Sequence, residues 1–300
     1  NEAGILSSIT PSLHGDIKTS HNSFLTLPVS VEDLHNTKSS RNFWLYVENQ
    51  GSLPSAKQCQ VWSATGSSAV QFADKFLHKD KEKVALEAGM LWQKVTRENH
   101  SLGLKSEITN FVPVTNDTVE LMIVSITNIG KSTLKITPTS AIPIFGRSAD
   151  NLRDHQHVTS LLHRIIPYAA GVAVRPTMSF DERGHKINEL LYCVLGLGEN
   201  EELPVGIFPT VPDFIGEGGS FEAPQAIIEN LSPPQKDGNY YQGKSAIGAL
   251  RFKTVSLGPR QKAKFVLLLG IAEKESNLDE WVKKFGSPAK AETALKDNKT

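Results

Sequence analysis

Strand patterns dominate the alternation of apolar and polar residues along this 300-residue chain. FWLYVEN, residues 43–49, is aromatic and β-branched and runs into a turn at Gly51. VELMIVSI, residues 119–126, is apolar almost throughout, which predicts a strand buried on both faces. The NIGK turn after it leads into LKITPT and predicts a β-hairpin. ALRFKTVSL, residues 249–257, alternates at Leu250 and Phe252 and again at Val255 and Leu257. Its phase slips by one residue at Lys253–Thr254, which predicts a β-bulge. Gly258-Pro259 then opens KAKFVLLLGIA, and a second hairpin is expected. Helical signals are few. FEAPQAIIEN offers a turn or two, and NLDEWVKKFGSP reads as a short helix capped by Asn277 and stopped by Gly286. Many turn-separated strands with few short helices predict an all-β fold, a large antiparallel sandwich. It is expected over residues 1–276, with residues 277–300 starting a helical linker.

Composition narrows the partners. The chain is 39% hydrophobic, enough for a large core, and its 32 Lys+Arg balance 32 Asp+Glu. Zero net charge removes the electrostatic case for nucleic acid or an anionic membrane as main partner. Cys59 and Cys193 are far apart and lack metal or redox spacing, so a reducing, cytoplasmic setting is expected. No run approaches the length of a membrane span, and no signal peptide opens the chain. The first residue is Asn1, and KAETALKDNKT carries no terminal signature, so a segment of a longer polypeptide is expected.

One cassette breaks the strand pattern. FGRSADNLRDHQHVTSLLHR, residues 145–164, carries three arginines, two aspartates and three histidines. On a strand, His155 and His157 would share a face, as in metal sites, with Asp150 or Asp154 as a third ligand. Nothing else supplies a metal signature, so a hydrogen-bonded polar cluster is preferred and no metal is expected. On a helix, Asp150 and Asp154 would repel at i,i+4 unless Arg147 or Arg153 paired with them. The cassette is then either a surface helix with weak ion pairs or an element that presents Arg and His to a polyhydroxylated or anionic ligand. Chemistry alone leaves both open.

Other motifs carry less. GNYYQGKS, residues 238–245, fits the P-loop pattern, but no buried strand precedes it and a strand follows it, so no nucleotide site is expected. GEGGS, residues 216–220, reads as a plain loop. Asp181, Glu182, Glu217 and Glu222 are possible general acids, and none is distinguished. Trp44, Trp62, Trp92 and Trp281 read as core rather than as sugar-stacking platforms.

The order of the strand motifs adds a resemblance. RNFWLYVENQGS, CQVWSATG and EITNFVPVTNDTVELMIVSITNIGKSTLKITPTSAIPIFG together resemble the N-terminal domain of the inverting β-glucoside phosphorylases, the cellobiose-phosphorylase-like enzymes of glycoside hydrolase family 94. AIGALRFKTVSLGPRQKAKFVLLLGIAE is similar to the closing strands of that domain. The cassette GRSADNLRDHQHVTSLLHR resembles more narrowly the β-1,2-oligoglucan (sophorooligosaccharide) phosphorylases.

The resemblance implies a β super-sandwich similar to galactose-mutarotase-like domains, followed by a helical linker and an (α/α)6 barrel. It implies a parent enzyme that cleaves a β-linked glucooligosaccharide with inorganic phosphate, without a cofactor, to give α-glucose 1-phosphate. The catalytic acid belongs to the barrel, so the resemblance maps no catalytic residue onto this chain. It implies a homodimer with the domain at the interface. Arg147, Asp150, Arg153, Asp154, His155, His157, His163 and Arg164 would then shape the acceptor end of the glucan site or join the domain to the barrel. Two rival readings stand beside it. One is a stand-alone carbohydrate-binding module. The other is an epimerase-like enzyme using His155 or His157 with Glu189 or Glu217.

Overall fold

The computed structural model describes residues 4–30, 36–49, 59–79, 82–152, 160–181 and 184–299. Strands β1 (Leu6–Ser7), β2 (Ile17–Ser20) and β3 (Ser23–Phe24) form a small sheet at the start of the chain. Next come β4 (Asn42–Asn49), β5 (Cys59–Ser63), β6 (Lys83–Gly89), β7 (Trp92–Asn99), β8 (Leu104–Phe111), β9 (Val119–Asn128) and β10 (Leu134–Ile144). Then follow β11 (His163–Tyr168), β12 (Gly171–Pro176), β13 (Met178–Asp181), β14 (Gly184–Ile187) and β15 (Leu191–Gly198). The last are β16 (Gly206–Thr210), β17 (Ala246–Arg251), β18 (Val255–Leu257) and β19 (Lys262–Ala272). An eight-stranded sheet runs β11-β12-β15-β19-β9-β8-β7-β6. A six-stranded sheet runs β16-β17-β10-β4-β5, with β18 also on β10. Every pairing within these two sheets is antiparallel, so the expected sandwich is the fold.

Strand β9 shows why the sequence reads as it does. Met122, Val124 and Ile126 face the core between the sheets, with Phe43, Leu45 and Val47 of β4 and Leu250 of β17. Val119, Leu121 and Ile123 face the other way, toward helix α2 (Ser276–Phe285), which follows α1 (Ala69–Phe76) in the chain. Leu278, Trp281 and Phe285 of α2, and Ala291 of α3 (Pro288–Lys299), close that outer face. A strand covered on both sides gains apolar contacts at every position, hence the unbroken apolar run. Gly270 of β19 allows the close approach: a Cβ there would come within 2.2 Å of the Trp281 ring.

Several local expectations need correction. The segments around the NIGK turn are strands, but they do not form a hairpin. β9 belongs to the eight-stranded sheet and β10 to the six-stranded one, so the turn is an arch between layers. The turn at Gly258-Pro259 is a second arch, from β18 to β19. Each strand finds its partners in its own layer: β9 pairs with β8 and β19, and β10 with β4, β17 and β18. The phase slip is present. Between Ile136↔Val255 and Thr139↔Arg251, β10 spends two residues while the facing chain spends three. Helix α2 stops at Gly286 as expected, but Asn277 lies inside its first turn, where its Oδ1 accepts from the Lys274 N–H at 3.0 Å.

Glu120 is the polar exception on β9. Arg41 Nε and Nη2 reach its two carboxylate oxygens at 2.7 and 2.9 Å, and both side chains are fully buried. Asn110 Nδ2 at 2.8 Å and Ser7 Oγ at 2.5 Å donate to the same carboxylate. Arg41 Nη1 donates to the Gly15 carbonyl at 3.1 Å, so the pair fastens the N-terminal segment to the end of the sandwich. At the β6 end the sandwich is open, and every residue of β6 is exposed. Here Glu82 gathers Trp62 Nε1, Gln71 Nε2, Arg97 Nη1 and Asn99 Nδ2, which ties α1 to the sheet. Cys59 is exposed, Cys193 is buried, and both are free thiols. Among the described residues no helix is long and apolar enough to cross a membrane.

Candidate functional site

The cassette begins where β10 ends. The Phe145 N–H bonds the Leu25 carbonyl at 2.7 Å, and Phe24 and Arg147 exchange main-chain bonds at 2.9 and 3.3 Å. Gly146 sits between them at φ +62, a conformation that favours glycine. This bridge turns the Arg147 side chain inward. Its Nε donates to His163 Nε2 at 3.2 Å, and its guanidinium lies 5.2 Å from the centre of the Phe145 ring. Burial lowers the Arg147 pKa to about 10, still charged at neutral pH. His163, the first residue of β11, is fully buried. Burial first, and the Arg147 charge second, bring its pKa down to about 3, against the pull of the Phe145 and Lys244 main chain. The imidazole is therefore neutral. Its Nε2 stands between two groups, 3.2 Å from the Arg147 Nε donor and 3.1 Å from the Phe145 carbonyl.

The remaining cassette residues divide. A single 3-10 turn, Ala149–Leu152, follows Ser148, whose Oγ accepts the Asp150 N–H at 3.2 Å. Asp150 Oδ1 lies 3.3 Å from Nε2 of exposed His21. Arg164 is exposed, and its Nη1 folds back on the carbonyls of Leu161 and His163 at 3.0 and 3.2 Å. Arg153, Asp154, His155 and His157 lie outside the described residues. So the structure joins Arg147 to His163, joins Asp150 to His21, and leaves Arg164 against its own main chain.

The P-loop-like segment packs against the end of the cassette. Gly238–Tyr241 is one turn of helix capped by the Asp237 side chain, and the strand β17 follows. Lys244 Nζ lies 3.3 Å from the centre of the Tyr240 ring, and the Tyr240 hydroxyl donates to Asp213 Oδ1 at 2.9 Å. This is not a phosphate cradle at a helix start. Gln242 instead bonds the edge of β11: its Oε1 accepts the Ile165 N–H at 3.0 Å and its Nε2 donates to the Ile165 carbonyl at 2.9 Å. Gly243 N–H adds a bond to the His163 carbonyl at 3.2 Å. The two polar motifs of the sequence thus meet at one edge of the large sheet. Arg147 and His163 form a buried brace beneath it, His21 and Arg164 are exposed, and Asp150 is half-buried.

The other candidates are quickly placed. Trp44, Trp62 and Trp281 are buried, and Trp92 is half-buried with Lys299 Nζ 4.0 Å from its ring centre. No tryptophan therefore presents a free face to a sugar. Glu189 and Glu217 are exposed, and Glu182 lies outside the described residues. Burial pushes the Glu222 carboxyl up, but hydrogen bonds from Thr37 and Ser220 outweigh it and hold the group below the usual range. A carboxyl held ionised in this way is a poor general acid. Among the described residues no group of three His, Cys, Asp or Glu could hold a metal. Sequence reasoning missed the Arg41–Glu120 pair and the Gln242 bonds to β11. A lone Glu in an otherwise apolar strand was the available signal for the first; the second had none.

Residues 53–288 match the family model described as the glycosyl hydrolase 94 supersandwich domain. No curated protein matches the chain. Among solved structures, a polysaccharide lyase is similar at 9% identity over 91% of this chain and 33% of its own, with a TM-score of 0.48. A bacterial glucoamylase complexed with acarbose is similar at 8% identity over 92% of this chain and 31% of its own, with a TM-score of 0.45. A putative aldose 1-epimerase from Escherichia coli K12 is similar at 9% identity over 90% of this chain and 96% of its own, with a TM-score of 0.41. The chain spans about a third of the length of the lyase and of the glucoamylase.

Proposed function

The chain belongs to the glycosyl hydrolase 94 supersandwich-domain family, and from that premise we propose that it is the non-catalytic N-terminal β-sandwich domain of an inverting β-glucan phosphorylase. The family match over residues 53–288 carries this reading. The parent enzyme takes a β-linked glucooligosaccharide and inorganic phosphate. A phosphate oxygen attacks the anomeric carbon from the face opposite the glycosidic oxygen. That bond breaks as a carboxylic acid of an (α/α)6 barrel protonates the leaving oxygen, and the products are α-glucose 1-phosphate and a glucan one unit shorter. Phosphate is its own nucleophile, so the protein supplies one acid and no cofactor. The resemblance of the cassette to β-1,2-oligoglucan phosphorylases supports a β-1,2 linkage.

In this reading the domain contributes a rigid wall, contacts to the barrel and contacts within a homodimer in the cytoplasm. Arg147 and His163 brace the wall. Asp150, Arg164 and the cassette residues Arg153, Asp154, His155 and His157 meet the acceptor end of the glucan or the barrel. The buried tryptophans weigh against a stand-alone sugar-stacking module. The test incubates the full-length protein with phosphate and β-1,2-, β-1,3- or β-1,4-linked glucooligosaccharides and reads α-glucose 1-phosphate. Release from the β-1,2 substrate alone is expected. Release from another linkage overturns the β-1,2 assignment, and no release from any of them overturns the phosphorylase reading.

A further inference from the structure

The open end of the eight-stranded sheet carries the inference. β6 pairs with β7 on one side, and among the described residues nothing pairs with its other side. An edge of this length exposes a row of unpaired N–H and C=O groups and is a template for another strand. Proteins blunt such edges with proline, a bulge, a cover or unmatched charge. The sequence KVALEAG has no proline, its pairing to β7 is continuous, and all its residues are exposed. Val84 and Leu86 are apolar and about half exposed, at 50% and 48%. The two charges, Lys83 and Glu87, are opposite in sign and stand symmetrically about Ala85.

We infer that two copies of the chain pair through β6, antiparallel, about a two-fold axis at Ala85, so that the two large sheets become one continuous sheet. The pleat limits the choices. A two-fold axis perpendicular to a sheet keeps every side chain on its face, so the axis must pass through a residue and not between two. Centring on Lys83 or Glu87 sets like charges against each other. Centring on Val84 or Leu86 places Lys83 opposite Ala85 or Gly89 and gives it no partner within the strand. Centring on Ala85 places each Lys83 opposite Glu87 of the second copy and each Val84 opposite Leu86. Within one chain Lys83 already stands opposite Glu98, and Glu87 opposite Lys94, with Lys94 Nζ 2.6 Å from Glu87 Oε1. The pairing therefore builds a row Glu98, Lys83, Glu87, Lys94 that alternates in sign across four strands, the arrangement that stabilises cross-strand neighbours.

This inference rests on the homodimer proposed above and names its surface. It is tested by sedimentation of the full-length protein and of Lys83→Glu, Glu87→Lys and the double variant, with thermal melting to confirm folding. Each single reversal sets like charges across the axis and is expected to weaken dimerisation by about tenfold or more. The double variant restores opposite charges across the axis while making both pairs within the chain like-charged. Recovery of the dimer there cannot come from a better fold. A wild-type dimer unmoved by the reversals overturns the β6 pairing and leaves the homodimer standing. A wild-type monomer overturns both. Neither result bears on phosphorolysis, which has its own assay.

Discussion

The eight-stranded sheet ends in two different ways. At β11 the edge is closed by a turn: Gln242 offers its side-chain amide to the N–H and C=O of Ile165 much as a neighbouring strand would, and the Gly243 N–H bonds the His163 carbonyl. At β6 no described group does this, and apolar side chains stand beside bare main chain. A sheet edge can thus be terminated by two adjacent residues of a turn. Where it is not, the open edge is better read as a surface kept for pairing than as an oversight of the fold. Arg147 and His163 of the cassette lie at this closed end.

The contrast can be broken or sharpened by substitution. The largest effect is expected between the two ends, where Glu120→Ala leaves the buried Arg41 guanidinium without its counter-charge. Stability should fall by about 3–5 kcal/mol in urea unfolding, and a loss below about 1 kcal/mol would mean that the N-terminal segment detaches freely. Next comes acid. His163 is neutral when folded, with a pKa near 3, and in the unfolded chain it titrates near its ordinary value of about 6.5. Between these values the unfolded state binds more protons. The contribution is whole above pH about 6.5 and is lost as pH falls toward 3. His163→Gln should flatten the stability of the protein across that window, and an unchanged slope would show that the ring is hydrated when folded. A smaller effect, about 1 kcal/mol, is expected for Gln242→Ala, which strips both bonds from Ile165. Leu86→Thr at the bare edge should change the unfolding of the monomer by less than about 0.5 kcal/mol. If these last two effects were equal, the two edges would not differ as described.

Much of the architecture was legible because burial on both faces leaves a plain record. VELMIVSI reads as a central strand, and the slip at Lys253–Thr254 reads as an extra residue, and both are present. Pairing was not legible. A strand, a short turn and a strand look alike whether the chain folds back in its sheet or crosses to the opposite one, since the apolar run is the same in both. The site was legible only as a concentration of charge. That Arg147 turns inward on His163 depends on Phe24, far away in sequence, and that Gln242 closes an edge depends on where β11 ends. Neither leaves a local pattern. His155 and His157, the most suggestive pair in the sequence, lie outside the described residues.

The two arches carry a consequence for how the molecule forms. β9 is joined by a short turn to β10, and β18 to β19, yet none of these neighbours in sequence pairs with the other. β6 to β9 can zip up as neighbours, but neither layer can be completed that way. β9 must wait for β19 to complete its pairing, β4 must wait for β10, and β10 must wait for β17. Contacts distant in sequence set the pace, which makes for slow, strongly cooperative folding. The same stitching couples the layers in reverse: pulling one sheet apart drags both arches, so the two layers should come undone in a single step.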